Sequence, residues 1–549
     1  MKREILRSKA LRAWALALLV LGGSAHAQIQ LDTNAATPPE EVAIQPADGV
    51  VELSLEEAVE FALRRNLGLV IERYTRAQAR LGVEEALGAY DLLLSSTLSA
   101  SDQTSATVSE LSASEFNQQV WNFSLAQNTP LGGQVSVGWE NTRQESNNRF
   151  ATLNPSFDSN LTFSFSQPLL RDFGRPVFER QLLIAQNQSL VSNREFSRQV
   201  MATLQQVTDA YWNLVEAREQ LVVARESLSL AQELHERNRI QVEVGTLAPL
   251  ELVQSEAAIA TREEDIIRSQ QAVGDSEDAL RQLLNLPQGA LWQSEIRPET
   301  DPEVAHAALD IETAIRTALD TRPEVRAQQL LVDQARINSD YFRNQTLPSL
   351  DLDVSYGYSG VGGNRIVRDN VTGEVIETQP GNYGDALDQI TGLDFDGWTA
   401  RLIFGYPLQN RAARAASASA NLELERQQTI LDDIQTQVIT EVRQAARRVD
   451  SAAKQIEAAR ASVTFQERSL DAERKRYENG MSSSFEITRI QQDVTSARSR
   501  EVSAVIAYRT ALTQFQQATG QLLSSYGVVI DDPEAPVDRW DFSFFGGRR

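Results

Sequence analysis

The side chains with the greatest capacity for chemistry are scarce in this chain of 549 residues. It has no cysteine and only three histidines, His26, His235 and His306, which lie far apart in the sequence. Soft metals need thiolates and zinc sites usually need clustered histidines, so we predict no metal site. The adjacent carboxylates Asp432 and Asp433 lie in a polar helical segment, where a solvated surface is the simpler interpretation. We therefore predict neither enzyme activity nor a cofactor.

A dense glycine cluster and the overall charge exclude two further kinds of ligand. Gly360-Val361-Gly362-Gly363 lacks the strand–turn–helix context that a phosphate-binding loop needs, and we predict a loop between strands. The chain carries a formal net charge of −23, whereas nucleic-acid binding needs a basic face. Nucleic acid is therefore not an expected partner, and solubility explains most of the charge.

Two very long helical segments dominate the chain. Residues 178–244 contain neither proline nor glycine, and a helix of that length extends about 100 Å. Apolar residues recur there with heptad spacing at Leu214, Ala217, Leu221, Ala224, Leu228 and Ala231, and again later at Val449, Ala452, Ile456, Ala459 and Val463. The pattern predicts antiparallel coiled-coil hairpins at 178–285 and 411–522, preceded by helices at 53–89 and 309–345.

Two other segments, 92–170 and 349–408, alternate polar residues with apolar or aromatic ones. The apolar positions include Trp121, Phe123 and Leu125; Val135, Val137 and Trp139; Leu161, Phe163 and Phe165; Leu350 to Tyr358; and Trp398 to Tyr406. This period of two predicts strands of a membrane β-barrel, with a soluble sandwich as the alternative. Thr129–Gly133 is a predicted turn.

The chain is internally duplicated. At a constant offset of 256, Leu53, Glu56, Ala58, Ala62 and Leu63 correspond to Leu309, Glu312, Ala314, Ala318 and Leu319. A second offset of 235 aligns Gly245 with Gly480 and Glu251 with Glu486. We predict a first repeat at 53–308 and a second at 309–522. One chain has too few strands to close a barrel, so oligomerisation is expected.

The N-terminal residues 1–27 have the pattern of a secretory signal peptide. Basic residues precede the apolar run Trp14–Leu21, and Ala25-His26-Ala27 supplies a cleavage site. The run is about half the length that a membrane-spanning helix needs. Without cysteine no N-terminal lipid anchor on Cys is expected. Weakly patterned segments at 28–52 and 523–549 complete the predicted domain organisation.

From about residue 53 to 522 the sequence resembles the TolC family of outer-membrane efflux proteins. The resemblance lies in Leu53–Ala62, its repeat Leu309–Ala318, and the turns Val244–Glu251 and Asn479–Glu486. It implies a mixed, mainly α-helical fold. Three identical chains would form one outer-membrane β-barrel, continued by a long α-helical coiled-coil barrel in the periplasm. Family members place two strands in each half, so an extra pair in 92–170 would be either a surface hairpin or additional barrel strands.

The resemblance also implies a function. Members of the family are passive channels of tripartite efflux or type I secretion systems, and they dock on a periplasmic adaptor (membrane fusion) protein linked to an inner-membrane pump. The turns are expected to contact the adaptor through Gly245, Thr246, Leu247, Gly480, Met481 and Ser482. The entrance or gate is expected to involve Glu486, Arg489, Tyr477 and Glu251. Ser482 and Arg489 depart from the family's basic and acidic residues, so its ion-pair lock is only partly present.

The charges at this entrance can be interpreted independently of the family. Three copies of Glu486 around a narrow opening would attract cations, and Arg489, three residues later, could neutralise them by pairing. The alternative is that Glu486 and Glu251 only favour helix N-termini. Gly245 and Gly480 would in either case end one helix and permit a sharp turn. The rival function is a non-conducting periplasmic scaffold attached to the outer membrane, which the predicted strands disfavour.

Overall fold

The computed structural model describes residues 49–106, 113–302, 309–369 and 374–530. The predictions for the signal peptide at 1–27, for nearly all of 28–52 and for most of 523–549 concern residues outside these ranges. The predicted domain boundaries stay predictions.

Helices make up most of the described chain. Their bounds are α1 Leu55–Arg65, α2 Leu67–Leu87, α3 Arg175–Phe178, α4 Arg180–Glu243, α5 Pro249–Leu284, α6 Ala290–Gln293, α7 Ile311–Thr321, α8 Pro323–Asn344, α9 Tyr383–Gly392, α10 Arg411–Glu478, α11 Ser484–Ala518 and α12 Leu522–Ser525. The strands are β1 Val50–Leu53, β2 Leu93–Thr104, β3 Glu115–Asn128, β4 Gln134–Ser146, β5 Leu153–Pro168, β6 Glu295–Pro298, β7 Ser349–Arg368, β8 Val375–Gln379 and β9 Asp396–Gly405.

The described residues form two compact units, which we call the sheet unit and the helical unit. The sheet unit contains Arg80–Asn187 and Asp333–Arg426, within the described ranges. The helical unit contains 49–79, the described part of Gln188–Val332, and 427–530. The predicted mixed, mainly helical fold with an internal duplication is confirmed.

The sheet unit is built on one antiparallel sheet of seven strands. Strands β2, β3, β4, β5 and β7 follow one another in the sheet, and β9 pairs with the first half of β7 on its other edge. Strand β8 pairs only with the last residues of β7. The turn predicted at Thr129–Gly133 joins β3 to β4, with the Thr129 amide donating to the Gly133 carbonyl over 2.7 Å.

The loop prediction for Gly360–Gly363 is wrong, because these residues lie inside β7. The glycines serve close packing by α9, a helix that the alternating pattern did not predict. A Cβ on Gly360 would stand 2.0 Å from the Ala386 carbonyl oxygen, and one on Gly362 would stand 2.4 Å from that of Asn382. The Gln389 side chain also bonds both the amide and the carbonyl of Val361, at 3.0 and 2.9 Å.

The duplication is visible in the helical unit as matching helix boundaries. Helices α7 and α8 begin 256 residues after α1 and α2, since Ile311 follows Leu55 and Pro323 follows Leu67 at that interval. Each pair has an N-cap that satisfies otherwise free amides at its start, Ser54 in a capping box and Asp310 through its carboxylate.

The two long helices confirm the predicted lengths and most of the predicted packing. Helix α4 has 64 residues and α10 has 68, so each extends about 100 Å. In α10, Val449, Ala452, Ile456 and Val463 are buried as the heptads predict, while Ala459 is partly buried. In α4 the buried stripe is Ala224, Ser227, Ala231, Leu234 and Asn238. Leu221 and Leu228 are only half-buried, because the stripe follows a neighbouring row of positions.

We predict that Gly360→Ala lowers the stability of the sheet unit, by about 1–3 kcal/mol, because its methyl group meets the backbone of α9. The matched control is Gly138→Ala in β4, where a Cβ meets nothing within 4 Å. The apparent unfolding temperature and the rate of proteolysis within 374–395 report the effect. Equal behaviour of the two variants would contradict the assigned role of Gly360.

Candidate functional site

The candidate site consists of the two turns that reverse the helical hairpins. We call residues 244–251 the first tip, between α4 and α5, and residues 479–486 the second tip, between α10 and α11. Gly245 and Gly480 adopt φ angles of +78° and +72°, and a Cβ on either would meet nothing within 4 Å. Their left-handed conformation, rather than lack of space, therefore explains the requirement for glycine.

Each tip ends one helix and starts the next by a similar set of hydrogen bonds. At the first tip, the Thr246 and Leu247 amides donate to the Gln241 carbonyl over 2.9 and 3.2 Å. At the second, the Met481 amide donates to the Arg476 carbonyl over 2.9 Å. Glu251 and Glu486 lie in the first turns of α5 and α11, where a carboxylate interacts favourably with the helix dipole.

Tyr477 connects the second hairpin to the first. Its ring is 6% exposed, and its hydroxyl lies 2.7 Å from Asn238 Oδ1 and 3.0 Å from Gln241 Oε1. Asn238 is itself fully buried. A second connection forms where the Ser484 hydroxyl donates to the carboxylate of Glu251. The two tips of one chain are therefore held together by buried or half-buried hydrogen bonds.

The environment of Tyr477 favours its neutral form. Burial raises the pKa of the phenol above its ordinary value, and the nearby negative charge of Glu251 raises this pKa further. The hydroxyl therefore keeps its proton throughout the physiological pH range and remains a donor to the first hairpin.

Ser482 interacts within its own hairpin. Its hydroxyl donates to Glu473, and the other oxygen of this carboxylate accepts a 3.0 Å ion pair from Arg476. The Glu473 side chain is only 9% exposed, so the hydroxyl and the guanidinium supply the partners that a buried carboxylate needs. Ser482 thus stabilises the turn of the second tip.

Glu486 and Arg489 form an ion pair on the exposed face of α11. The guanidinium donates to both carboxylate oxygens, one of them from Nε over 3.2 Å, and also lies 3.4 Å from Asp493. The hydrogen bond from Arg489 lowers the pKa of Glu486. A lowered pKa means that the pair is complete above the ordinary carboxyl pKa and is lost as the pH falls through the lowered value. The pairing considered from the sequence is present.

Apolar side chains surround both turns and are exposed in the single chain. Val244, Leu250, Met481 and Phe485 are 60–70% exposed, whereas the tip core beneath them contains Tyr477, Ile487 and Ile490. Exposed apolar side chains concentrated at one place are typical of surfaces that bind a partner.

The sequence identified some of these residues and missed others. Tyr477, Glu251 and the two turns come together in the helical unit, and Glu486 pairs with Arg489 one helical turn away. Asn238, Gln241, Glu473 and Ser484 were not predicted. Asn238 had a detectable signal, since it lies seven residues after Ala231 and places an amide where the heptad stripe calls for an apolar residue.

Two kinds of feature are absent from the residues that the structure describes. No group of three or more His, Cys, Asp or Glu side chains in these ranges is arranged to hold a metal ion. None of the helices described combines the length and the apolar character needed to cross a bilayer.

The fold has close structural counterparts. Over 85% of this chain, the structure matches the crystal structure of the Campylobacter jejuni CmeC outer membrane channel, with 86% of that chain covered, 16% identity and a TM-score of 0.60. VceC, an outer membrane protein of Vibrio cholerae, matches over 85% of this chain and 96% of its own, with 14% identity and a TM-score of 0.60. The open state of the Neisseria gonorrhoeae MtrE outer membrane channel matches over 85% and 89%, with 16% identity and a TM-score of 0.56.

These matches show the fold, in which strands followed by a long helical hairpin occur twice. The profile of the outer membrane efflux protein family matches residues 111–286 and 314–521, which is more than half of the chain. The chain belongs to this family. The comparison with curated proteins gave no match.

We predict that Tyr477→Phe loosens the tips, because it removes the donor to Asn238 and Gln241 and leaves buried polar atoms without a partner. The cost is about 1–3 kcal/mol. Amide hydrogen exchange within 238–250 and 473–486 should accelerate accordingly. Tyr74→Phe, whose ring is 49% exposed, is the control and should leave exchange unchanged. Unaltered exchange in Tyr477→Phe would show that the hydroxyl does not hold the tips.

Proposed function

We propose that the protein is the outer-membrane exit channel of a tripartite efflux or type I secretion system. Three copies form the channel, which conducts passively and catalyses no reaction. Substrates enter it from a periplasmic adaptor and an inner-membrane pump, which supplies the energy. The observation that carries this proposal is the pair of long helical hairpins whose tips bond each other within one chain that also contributes an antiparallel sheet.

The sheet supports a location in the outer membrane. On one face, Phe123 of β3, Trp139 of β4, Leu161 of β5 and Tyr358 of β7 occupy one register row. An apolar and aromatic band of this kind suits contact with lipid. The sequence offers no cysteine for a lipid anchor, so attachment would rest on the barrel and its outer-membrane lipid.

The tips support an entrance that can close. In a threefold ring, three copies of the Glu486–Arg489 pair would stand at the periplasmic opening. Each pair carries almost no net charge while intact, so the cation preference of the ring would depend on the pairing. The Tyr477–Asn238 and Ser484–Glu251 bonds would hold each chain's hairpins in the closed arrangement.

The exposed apolar side chains of the tips support docking to the adaptor. Met481 in the second turn is exposed, as are Val244, Leu250 and Phe485 beside the turns, whereas Leu247 in the first turn is half-buried. Burying such side chains against a partner is favourable, and the turns are where two sets of hairpins can meet end to end. Gly245, Thr246, Gly480 and Ser482 would shape the contact without contributing much apolar area.

A non-conducting scaffold would use the same hairpins but needs no lipid-facing band of aromatic residues. Conductance separates the two functions. We expect the purified protein in planar bilayers to give discrete current steps, and their absence even from a tip-loosened variant such as Tyr477→Phe would favour the scaffold.

We predict opposite changes in ion selectivity from the two members of the exposed pair. Arg489→Gln should raise the preference for cations because it frees Glu486, and Glu486→Gln should lower it. The control is Lys454→Gln, which removes one positive charge from the exposed Asp450–Lys454 pair on the same long hairpin. Reversal potentials in a salt gradient measure the preference. If Arg489→Gln and Lys454→Gln behave alike, the pair does not line the opening.

We predict that Met481→Ser weakens binding to the periplasmic adaptor by about tenfold, since a central apolar contact contributes more than 1 kcal/mol. Ile267→Ser on α5 is the matched control, because Ile267 is 66% exposed and Met481 is 62% exposed. Affinity for the adaptor and single-channel conductance are measured on each variant. If only the Ile267 variant loses adaptor binding, the docking surface is not at the tips.

A further inference from the structure

The sheet has six strands side by side, two more than two strands from each half would give. The order is β2-β3-β4-β5-β7-β9, with each neighbour antiparallel. Strand β8 adds no seventh position across the sheet, because it pairs with β7 beyond the end of β9. The additional pair is the hairpin β3–β4.

The hairpin β3–β4 runs the full height of the sheet. At the end of the hairpin that carries the β3–β4 turn, the Asn128 side chain donates to the Ala89 carbonyl over 2.9 Å. Ala89 lies just before the chain enters β2. The turn contacts the exit from β5, since the Gly174 amide and the Gln167 side chain donate to the Leu131 carbonyl over 3.1 and 3.0 Å. A hairpin confined to the cell surface would have no contacts at this end.

Both faces of the sheet continue without interruption across the β3–β4 hairpin. One register row, which we call the apolar row, crosses all six strands at Leu94, Leu125, Val137, Phe163, Tyr356 and Trp398. The next row on the other face, which we call the small row, is Ser95, Ser124, Gly138, Thr162, Gly357 and Gly397. An apolar outer face and a polar inner face are what a water-filled membrane barrel requires, and the small row belongs to the polar face.

The two edges of the sheet are open and suited to each other. Every residue of β2 and nine of the ten in β9 are exposed in the single chain. Six antiparallel strands are an even number, so β9 of one copy can pair with β2 of the next and preserve the alternation. Since spanning barrels must have no free edge and need at least eight strands, one chain cannot close by itself.

We infer that β3–β4 is a barrel-widening hairpin and that three copies close an eighteen-stranded barrel. The inference rests on the trimeric channel proposed above. At a strand spacing of about 4.8 Å and a tilt of about 40°, eighteen strands give a backbone diameter of about 36 Å, against about 24 Å for twelve. At the level of the small row, the side chains add little bulk to this lumen.

Electron cryo-microscopy of the wild-type trimer counts the strands directly. Eighteen strands with β3 and β4 in the wall are the expected result. A closed trimeric barrel of twelve strands, with the hairpin outside the wall, would overturn the inference but leave the channel intact. A protein that forms no closed ring would instead refute the proposed trimer and the inference with it.

A deletion variant tests the width in function. Removing residues 115–146 joins β2 to β5, which remain antiparallel, and the control removes only β8, residues 375–379. Poly(ethylene glycol) of graded radius is added on the extracellular side, and its entry is measured as reduced conductance. The radius cut-off should be at least about 1.5-fold larger in the wild type and control than in the hairpin deletion, because inward side chains narrow both barrels by a similar thickness. Equal cut-offs would overturn the inference. If the deletion variant does not assemble into a channel, the strand count of the wild-type trimer by electron cryo-microscopy decides.

Discussion

The structure depends on narrow stripes of small apolar side chains along its two long helices. Helix α10 buries Val449, Ala452, Ala453 and Ile456, and alanines recur along this stripe. Only 12 of the 68 residues of this helix are buried in the single chain, so its apolar face is narrow. Small residues compensate by letting neighbouring helices approach closely, which increases the number of dispersion contacts per residue. The exposed faces carry ion pairs such as Asp450–Lys454, which contribute little to stability.

Those stripes also determine where the hairpins can be joined. Because a glycine with left-handed backbone follows the end of α4 and of α10 by two residues, each returning helix starts within a few residues and continues the packing. The Tyr477 ring occupies the last buried position of the tip core, together with Leu234 and Leu470. Its hydroxyl bonds Asn238, which lies on the buried stripe of the other hairpin. The hydrogen bond that connects the tips therefore lies at the end of the row of buried apolar side chains between the two hairpins.

Much of the architecture follows from local sequence, whereas the contacts between distant segments do not. The alternation of polar and apolar residues predicted the strands that contain Leu350 and Trp398. The spacing of three residues indicated that Glu486 and Arg489 could pair. Both signals lie within a few residues of sequence. Helix α9 was missed, since its position depends on Gln389 bonding Val361 and on glycines in β7.

The tip partners illustrate the same limit over a longer distance. Asn238 becomes a partner only when the second hairpin, more than 230 residues later, brings Tyr477 beside it. Likewise, no local feature of the sequence connects Ser484 with Glu251. The sequence left two alternatives for β3–β4, and our inference of wall strands rests on the turn at Leu131, whose carbonyl accepts hydrogen bonds from Gln167 near the end of β5 and from Gly174 after it.

The two kinds of polar contact at the tips differ in what their rupture costs. The Glu486–Arg489 pair is exposed, so water replaces either partner at little cost. The Tyr477–Asn238 bond is buried, and breaking it in place would leave the Asn238 side-chain oxygen without its partner. However, the Nδ2 atom of Asn238 already has no hydrogen-bond partner among the described residues, although it is buried. Separating the hairpins would hydrate that amide along with the phenol, which offsets part of the lost bond. The Tyr477–Asn238 hydrogen bond therefore holds the two tips in register. It opposes their separation less than a bond between groups with no other unsatisfied atoms would.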